Sequence, residues 1–132
     1  MALTVFLRPV ERNLKCAAIV SPGVSPDWGT PYVFADPAVL DTLGNPHAFM
    51  SRTVKLVKLD SNGQAVTADS DYLLEVSDGG PKTAPGSTDV HAILPPGEAA
   101  ELLEKFVSSK IYVRAPAGAK VAIMAVSVPE PL

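Results

Sequence analysis

The chain has one cysteine, Cys16, and two histidines, His47 and His91, in 132 residues. One thiol excludes an intrachain disulfide and a thiolate-ligated metal. A cysteine nucleophile would need one of the two imidazoles beside it, so Cys16 reads as a small apolar residue inside a strand. The histidines follow none of the H-x-H, H-x3-H or H-E-x-x-H spacings, and no metal or cofactor site is expected. Charged residues are scarce at 19%, the net charge is −3, and no basic block occurs. A dominant nucleic-acid surface, which needs clustered Lys and Arg, is therefore disfavoured. Aromatics are 6% and do not alternate with basic residues, so no stacking platform for single strands is expected. No apolar run reaches membrane-spanning length, and Arg8, Glu11 and Arg12 interrupt any signal-peptide pattern. The expectation is a soluble, cytoplasmically made chain with no membrane partner.

Motifs of catalysis are equally scarce. G-x-G-x-x-G, Walker and G-x-S-x-G patterns do not occur. Gly79-Gly80-Pro81-Lys82-Thr83 is glycine-rich but has the wrong spacing for a phosphate loop. Asp60-Ser61-Asn62-Gly63-Gln64 looks superficially like a calcium loop, but its Gly falls at the fourth place and no Glu closes it. No set of residues supports an enzyme.

What the sequence does hold is apolar mass and rigid turns. Hydrophobic residues make up 47%, with 13 Pro and nine Gly. That apolar content is too high for a disordered chain and fits short strands joined by stiff connections. Strands are predicted at 3–10 (LTVFLRPV), 14–20 (LKCAAIV), 52–59 (RTVKLVKL), 65–67, 72–76 (YLLEV) and 89–94 (DVHAIL). In RTVKLVKL, Val54, Leu56 and Lys58 share one face, and the pattern shifts phase near Val57, which suggests a bulge or a switch of exposure. Arg52, Lys55 and Lys58 read as a solvated basic strand. Asn62-Gly63 predicts a type I′ hairpin turn. Residues 79–87 form a Gly/Pro loop. An extended, proline-rich loop is expected over 21–34, with Trp28, the only tryptophan, pinning it to the core or anchoring an interface.

Two short helices are predicted. In 36–44, Asp36 reads as the N-cap, Pro37 as the first helical residue and Gly44 as the C-terminal stop. In 98–107, Ala99, Leu102, Leu103 and Phe106 follow helical spacing; the alternative is a strand entering the last hairpin. That hairpin is predicted over 110–128 (KIYVRAPAGAKVAIMAVSV), turning at 116–119. Its second arm is apolar on both faces: Val121, Ile123 and Ala125 on one, and Ala122, Met124, Val126 and Val128 on the other. Such a strand needs cover on both sides. A helix at 98–107 would supply the second cover. A strand there would leave Met124, Val126 and Val128 as a subunit interface, with Trp28 and Tyr32 as further candidates. The overall expectation is one all-β domain over 1–132: an antiparallel β-sandwich or jelly roll with one or two short helices and an extended N-terminal segment.

The stretch Ile93-Leu94-Pro95-Pro96-Gly97-Glu98, followed by Ser109 to Ala115 (SKIYVRA) and the closing strand from Lys120 to Ile123, resembles small jelly-roll decoration (cement) proteins of tailed-bacteriophage capsids. The resemblance covers about the last 40 residues. It implies a virion location and a homo-oligomer, a dimer or trimer, seated where major capsid protein subunits meet, with no catalytic residues. Two other readings stay open. In a carbohydrate-binding module, Trp28, Tyr32 and Tyr72 would stack on sugar rings. In a small-virus coat protein, Arg52, Lys55 and Lys58 would meet nucleic acid.

Overall fold

The computed structural model describes residues 11–78 and 90–131. The strand predicted at 3–10, the extended N-terminal segment and the loop predicted at 79–87 lie outside the described residues. Among the described residues thirteen strands occur in chain order: β1 (Glu11–Arg12), β2 (Lys15–Val20), β3 (Gly23–Val24), β4 (Tyr32–Val33), β5 (Ala35–Leu40), β6 (Pro46–Ala48), β7 (Ser51–Leu59), β8 (Leu74–Ser77), β9 (Ala92–Leu94), β10 (Ala100–Leu103), β11 (Lys110–Ala115), β12 (Lys120–Ser127) and β13 (Glu130–Pro131). Among the described residues there is no helix. Two main sheets face each other as a β-sandwich. The first is wholly antiparallel, in the order β10-β7-β12-β2. The second runs β3-β11-β8-β9, with β4 also on β11 and the short β3 parallel to β11. Two small ribbons, β5-β6 and β1-β13, complete the chain.

Strand alternation builds the core. Cys16 of β2, Val54 and Leu56 of β7, Leu103 of β10 and Val121, Ile123 and Ala125 of β12 point inward from the first sheet. They meet Leu74, Val76, Leu94, Ile111, Val113 and Ala115 of the second, with Phe34, Phe49, Tyr72 and Phe106 filling the ends. Each fully buried aliphatic or Phe side chain contributes about 1.5–3 kcal/mol of transfer free energy. Side-chain hydroxyls fasten strand ends: Ser127 Oγ accepts the Leu14 N–H at 2.7 Å, and Ser51 Oγ donates to the Phe106 carbonyl.

Several local expectations are corrected. The predicted hairpin at 110–128 is a β-arch. Its turn forms, with Gly118 at φ 86° and the Ala119 N–H donating to the Pro116 carbonyl. Its arms, however, enter opposite sheets, so Ile111 and Val113 face Val121 and Ile123 across the core instead of sharing one sheet face.

Residues 36–44 are not helical: β5 and β6 form a ribbon with an irregularity between Asp36 and Leu40. Leu40 and Leu43, which a helix over 36–44 would set on one face, are both exposed, so a helix here would have little to bury. Asp36 does accept a nearby amide, Ala38 N–H at 2.9 Å, but its other oxygen accepts Lys15 N–H at 3.0 Å from β2. Pro37 is tolerated because the ribbon is irregular there.

Residues 98–107 are not helical either. Ala100–Leu103 pair with Val54–Val57 at the sheet edge, burying Leu103 and, beyond the strand, Phe106. Helix propensity, at most about 0.7 kcal/mol per ordinary residue, yields to that packing. The Asn-Gly turn has positive φ only at Gly63, so type I′ is excluded. Asp60 shapes it instead, its carboxylate accepting the Asn62 and Gln64 N–H groups. β7 keeps its phase through Lys58. Leu59 is buried where it bridges Ala65, and the bulge lies at the other end of the strand, opposite Val126 and Ser127.

Candidate functional site

The basic strand is not a solvated face. Arg52 and Lys55 are exposed, but Lys58 continues the inward row of Val54 and Leu56 and is 0% exposed. A buried ammonium needs acceptors for all three of its protons. Lys58 Nζ donates to Asp71 Oδ1 at 3.0 Å, the Tyr72 carbonyl at 2.6 Å and the Pro95 carbonyl at 2.8 Å. Tyr72 O precedes β8 and Pro95 O follows β9, so one side chain of the first sheet ties down the margin of the second. Asp71 also accepts the N–H groups of Gly97 at 2.7 Å and Tyr72 at 2.8 Å. The Gly97 amide first, then the Lys58 ammonium, hold its carboxyl below the usual value of 3.8. The Tyr72 hydroxyl lies 2.7 Å from the Lys120 carbonyl, and burial pushes its phenol up to about 12. Every group in this knot has a partner, which marks it as a brace between the sheets.

The outer face of the second sheet is covered along β11, while Ile93 of β9 is exposed. Tyr112 and Arg114 alternate with the core residues of β11 yet are themselves buried. The proline-rich loop lies over Arg114. Trp28 is 2% exposed, with the Arg114 guanidinium 4.1 Å from its ring centroid. Arg114 also donates to Glu75 Oε2 at 2.7 Å and the Pro26 carbonyl at 2.9 Å. The loop closes tightly enough that a Cβ on Gly23 would fall 2.3 Å from the carbonyl carbon and oxygen of Trp28. Trp28 therefore pins its loop and is not a surface anchor. Tyr32 packs edge-on against Phe34 at 5.8 Å. Burial, and then its hydrogen bond with Cys16, raise its phenol pKa, so this ring also belongs to the body of the protein.

The outer face of the first sheet is different. Register sets Ile19, Ala122, Val57 and Ala100 side by side, and Ala17, Met124, Lys55 and Leu102 in the next row. Val126 follows, between Lys15 and Thr53. Ile19 is 61% exposed and Leu102 52%, while Met124 and Val126 are half-buried by their neighbours. A groove of about 400 Å³ runs beside Met124 and Val126, walled by Asp36, Pro37 and Ala38. The structure thus brings Met124 and Val126 together on an apolar sheet face and adds Ala17, Ile19, Val57 and Leu102. Val128, half-buried past the end of β12, donates its N–H to the Met50 carbonyl at 3.1 Å. The alternation of LKCAAIV already carried the signal for Ala17 and Ile19. Leu102 was hidden by the helical spacing around it.

The histidines stay apart: His47 is bonded to the Ala48 carbonyl, and His91 stands edge-on to Phe106. Among the described residues no group of acidic, His or Cys side chains has metal-holding geometry. No helix of the described residues is long and apolar enough to cross a membrane. No family, no curated protein and no solved structure matches the chain.

Proposed function

We propose that this chain is a non-enzymatic virion structural protein, a capsid decoration or cement protein that stabilises a shell by bridging major capsid protein subunits. The observation that carries the reading is the apolar outer face of the first sheet. Antiparallel sheets that turn one face to water alternate apolar and polar residues. Here the water-facing positions are instead Ala17, Ile19, Val57, Ala100, Leu102, Ala122, Met124 and Val126, interrupted by Lys15, Thr53 and Lys55. Contiguous exposed apolar surface of this kind marks an interaction site. Its function would be to add buried area, on the order of 800 Å² per partner for a standard interface. The sugar-stacking alternative has less support, because Trp28 and Tyr72 lie inside the protein. The coat-protein alternative loses the buried Lys58 from its basic strand.

Co-sedimentation with capsids assembled from a tailed-phage major capsid protein of the chain's own source tests the reading. The wild type is expected to pellet with capsids and to raise their melting temperature. Met124→Asp is expected to stay folded, with unchanged Trp28 emission, and to remain in the supernatant. A wild type that does not pellet, or a Met124→Asp variant that pellets equally well, would overturn the assignment.

A further inference from the structure

Among the described residues the first sheet ends in two edge strands, β10 and β2, and they differ in chemistry. An edge presents unpaired N–H and C=O groups and is normally blunted by charge, proline or shortness. β10 carries Glu101, with Glu98, Glu104 and Lys105 flanking it, so pairing two copies there would crowd acidic side chains. β9, at the edge of the second sheet, has three residues. β2 is six residues long and uncharged from Cys16 to Val20.

The hydrogen bonds show which way its backbone points. Leu14 exchanges bonds with Ser127, its N–H going to Ser127 Oγ and its carbonyl accepting the Ser127 N–H, both at 2.7 Å. Lys15 turns its N–H the other way, to Asp36 Oδ2. By alternation Cys16, Ala18 and Val20 bond β12, while Ala17 and Ile19 direct their N–H and C=O groups outward along the open edge. Both of these residues are exposed, and no described strand pairs with that edge. At one end of the row Asp36, Pro37 and Ala38 wall a groove with Lys15, Cys16 and Ala17, and the Asp36 carboxylate already holds the Lys15 amide; at the other the strand stops before Pro22.

We infer that β2 is a dimerisation edge that pairs antiparallel with β2 of a second copy of this chain, through the outward backbone groups of Ala17 and Ile19, forming one eight-stranded sheet. The row is self-complementary: it offers equal numbers of donors and acceptors, so a two-fold axis satisfies both copies by the same bonds. Antiparallel pairing sends the two Lys15 side chains to opposite ends of the ribbon. The small Ala17 and Ala18 let the backbones approach. The two apolar outer faces then join across the axis, Ile19 and Ala17 of one copy beside those of the other. The recognition is strand addition, in which main-chain bonds supply affinity and alternate side chains set register.

Sedimentation velocity of the full chain over a dilution series tests the inference. The wild type is expected to show a monomer–dimer equilibrium. Ala17→Pro removes an outward N–H that the β12 ladder does not use, and it is expected to weaken the dimer by roughly tenfold or more. Ile19→Lys, which leaves the ladder intact and charges the edge, is expected to do the same. Hydrogen exchange on the wild type supplies an independent reading: the Ala17 and Ile19 amides are expected to gain protection as concentration rises, while the amide of Lys15 stays constant. A wild type that is monomeric at every concentration overturns the inference. So does a dimer whose Ala17 and Ile19 amides exchange at the monomer's rate, or one unmoved by a folded Ile19→Lys. The outcome is separable from the capsid assay: a dimer without capsid affinity refutes only the decoration reading, and a capsid-binding monomer refutes only the strand pairing.

Discussion

Replacing Lys58 by Met isolates the energetics of the brace between the sheets. Methionine keeps most of the apolar stem and its volume inside the core, so packing around Val54 and Leu56 changes little. What disappears is the ammonium and its three bonds, to Asp71, the Tyr72 carbonyl and the Pro95 carbonyl. The Asp71 carboxylate keeps its two backbone donors from Tyr72 and Gly97 but loses its cation. The two carbonyls lose their donor, that of Tyr72 inside the protein and that of Pro95 at its exposed margin. Hydrogen bonds to a charged group contribute about 1.5–3 kcal/mol net, and the expected loss is of that order. For a chain of this length that is a fall in melting temperature of roughly 5–12 °C. It is also a large share of the 5–15 kcal/mol typical of a native domain. Urea unfolding of both proteins at neutral pH, with calorimetry for the melting temperature, measures it. The m-value is expected to stay constant while the midpoint drops. A loss below about 1 kcal/mol, or a more stable variant, would show that the ammonium's desolvation cancels its bonds and that the brace holds nothing together.

Two further perturbations follow from the same contacts. The folded-state pKa of Asp71 is depressed, so between that value and the usual 3.8 the unfolded chain binds more protons than the folded one. The stability this carboxylate contributes is present above the unfolded value and is lost as pH falls through the folded one. Acid unfolding followed by circular dichroism is expected to show a decline below about pH 4 in the wild type. Asp71→Asn is expected to be weaker at neutral pH and to lack that component of the slope, and superimposable pH profiles would refute the assignment. Gly23→Ala puts a methyl where the Trp28 backbone lies, which forces the loop off the second sheet. Trp28 emission is expected to shift to the red as the ring leaves Arg114, and an unchanged spectrum would show that the loop absorbs the methyl without moving.

Much of the fold is legible from period-two patterns. The alternation of Val121, Ile123 and Ala125 marks the inner face of β12, and that of Val54, Leu56 and Lys58 marks one face of β7; both rows lie inward. The helical readings of 36–44 and 98–107 failed for a common reason. Each rests on a few apolar residues over two or three turns, too short for a helix to persist without a surface to cover. Leu103 and Phe106 fit equally well into the core from an edge strand and its turn. The sheet-to-sheet arch at 116–119 was also beyond local pattern, because a Pro-x-Gly turn reads the same whether its arms pair with each other or with other strands.

The apolar outer face was partly legible as well. Met124 and Val126 stand out because an apolar residue at every position from Val121 to Val126 leaves one set without a place in the core. Their neighbours Ile19, Val57 and Leu102 join them only through register between strands distant in the chain.

By itself the sequence determined the class of the fold, since strand-length apolar alternation cut by proline and glycine leaves a sandwich of short strands as the packed solution. Tertiary structure alone decided the partners: that β11 and β12 lie in opposite sheets, that Lys58 is a buried brace, that Trp28 is covered by Arg114, and that the open edge of β2 adjoins an apolar face. The physical reason is range. Alternation is a property of neighbouring residues and survives in any sheet, whereas pairing and burial depend on which distant segments compete for the same edge and the same space.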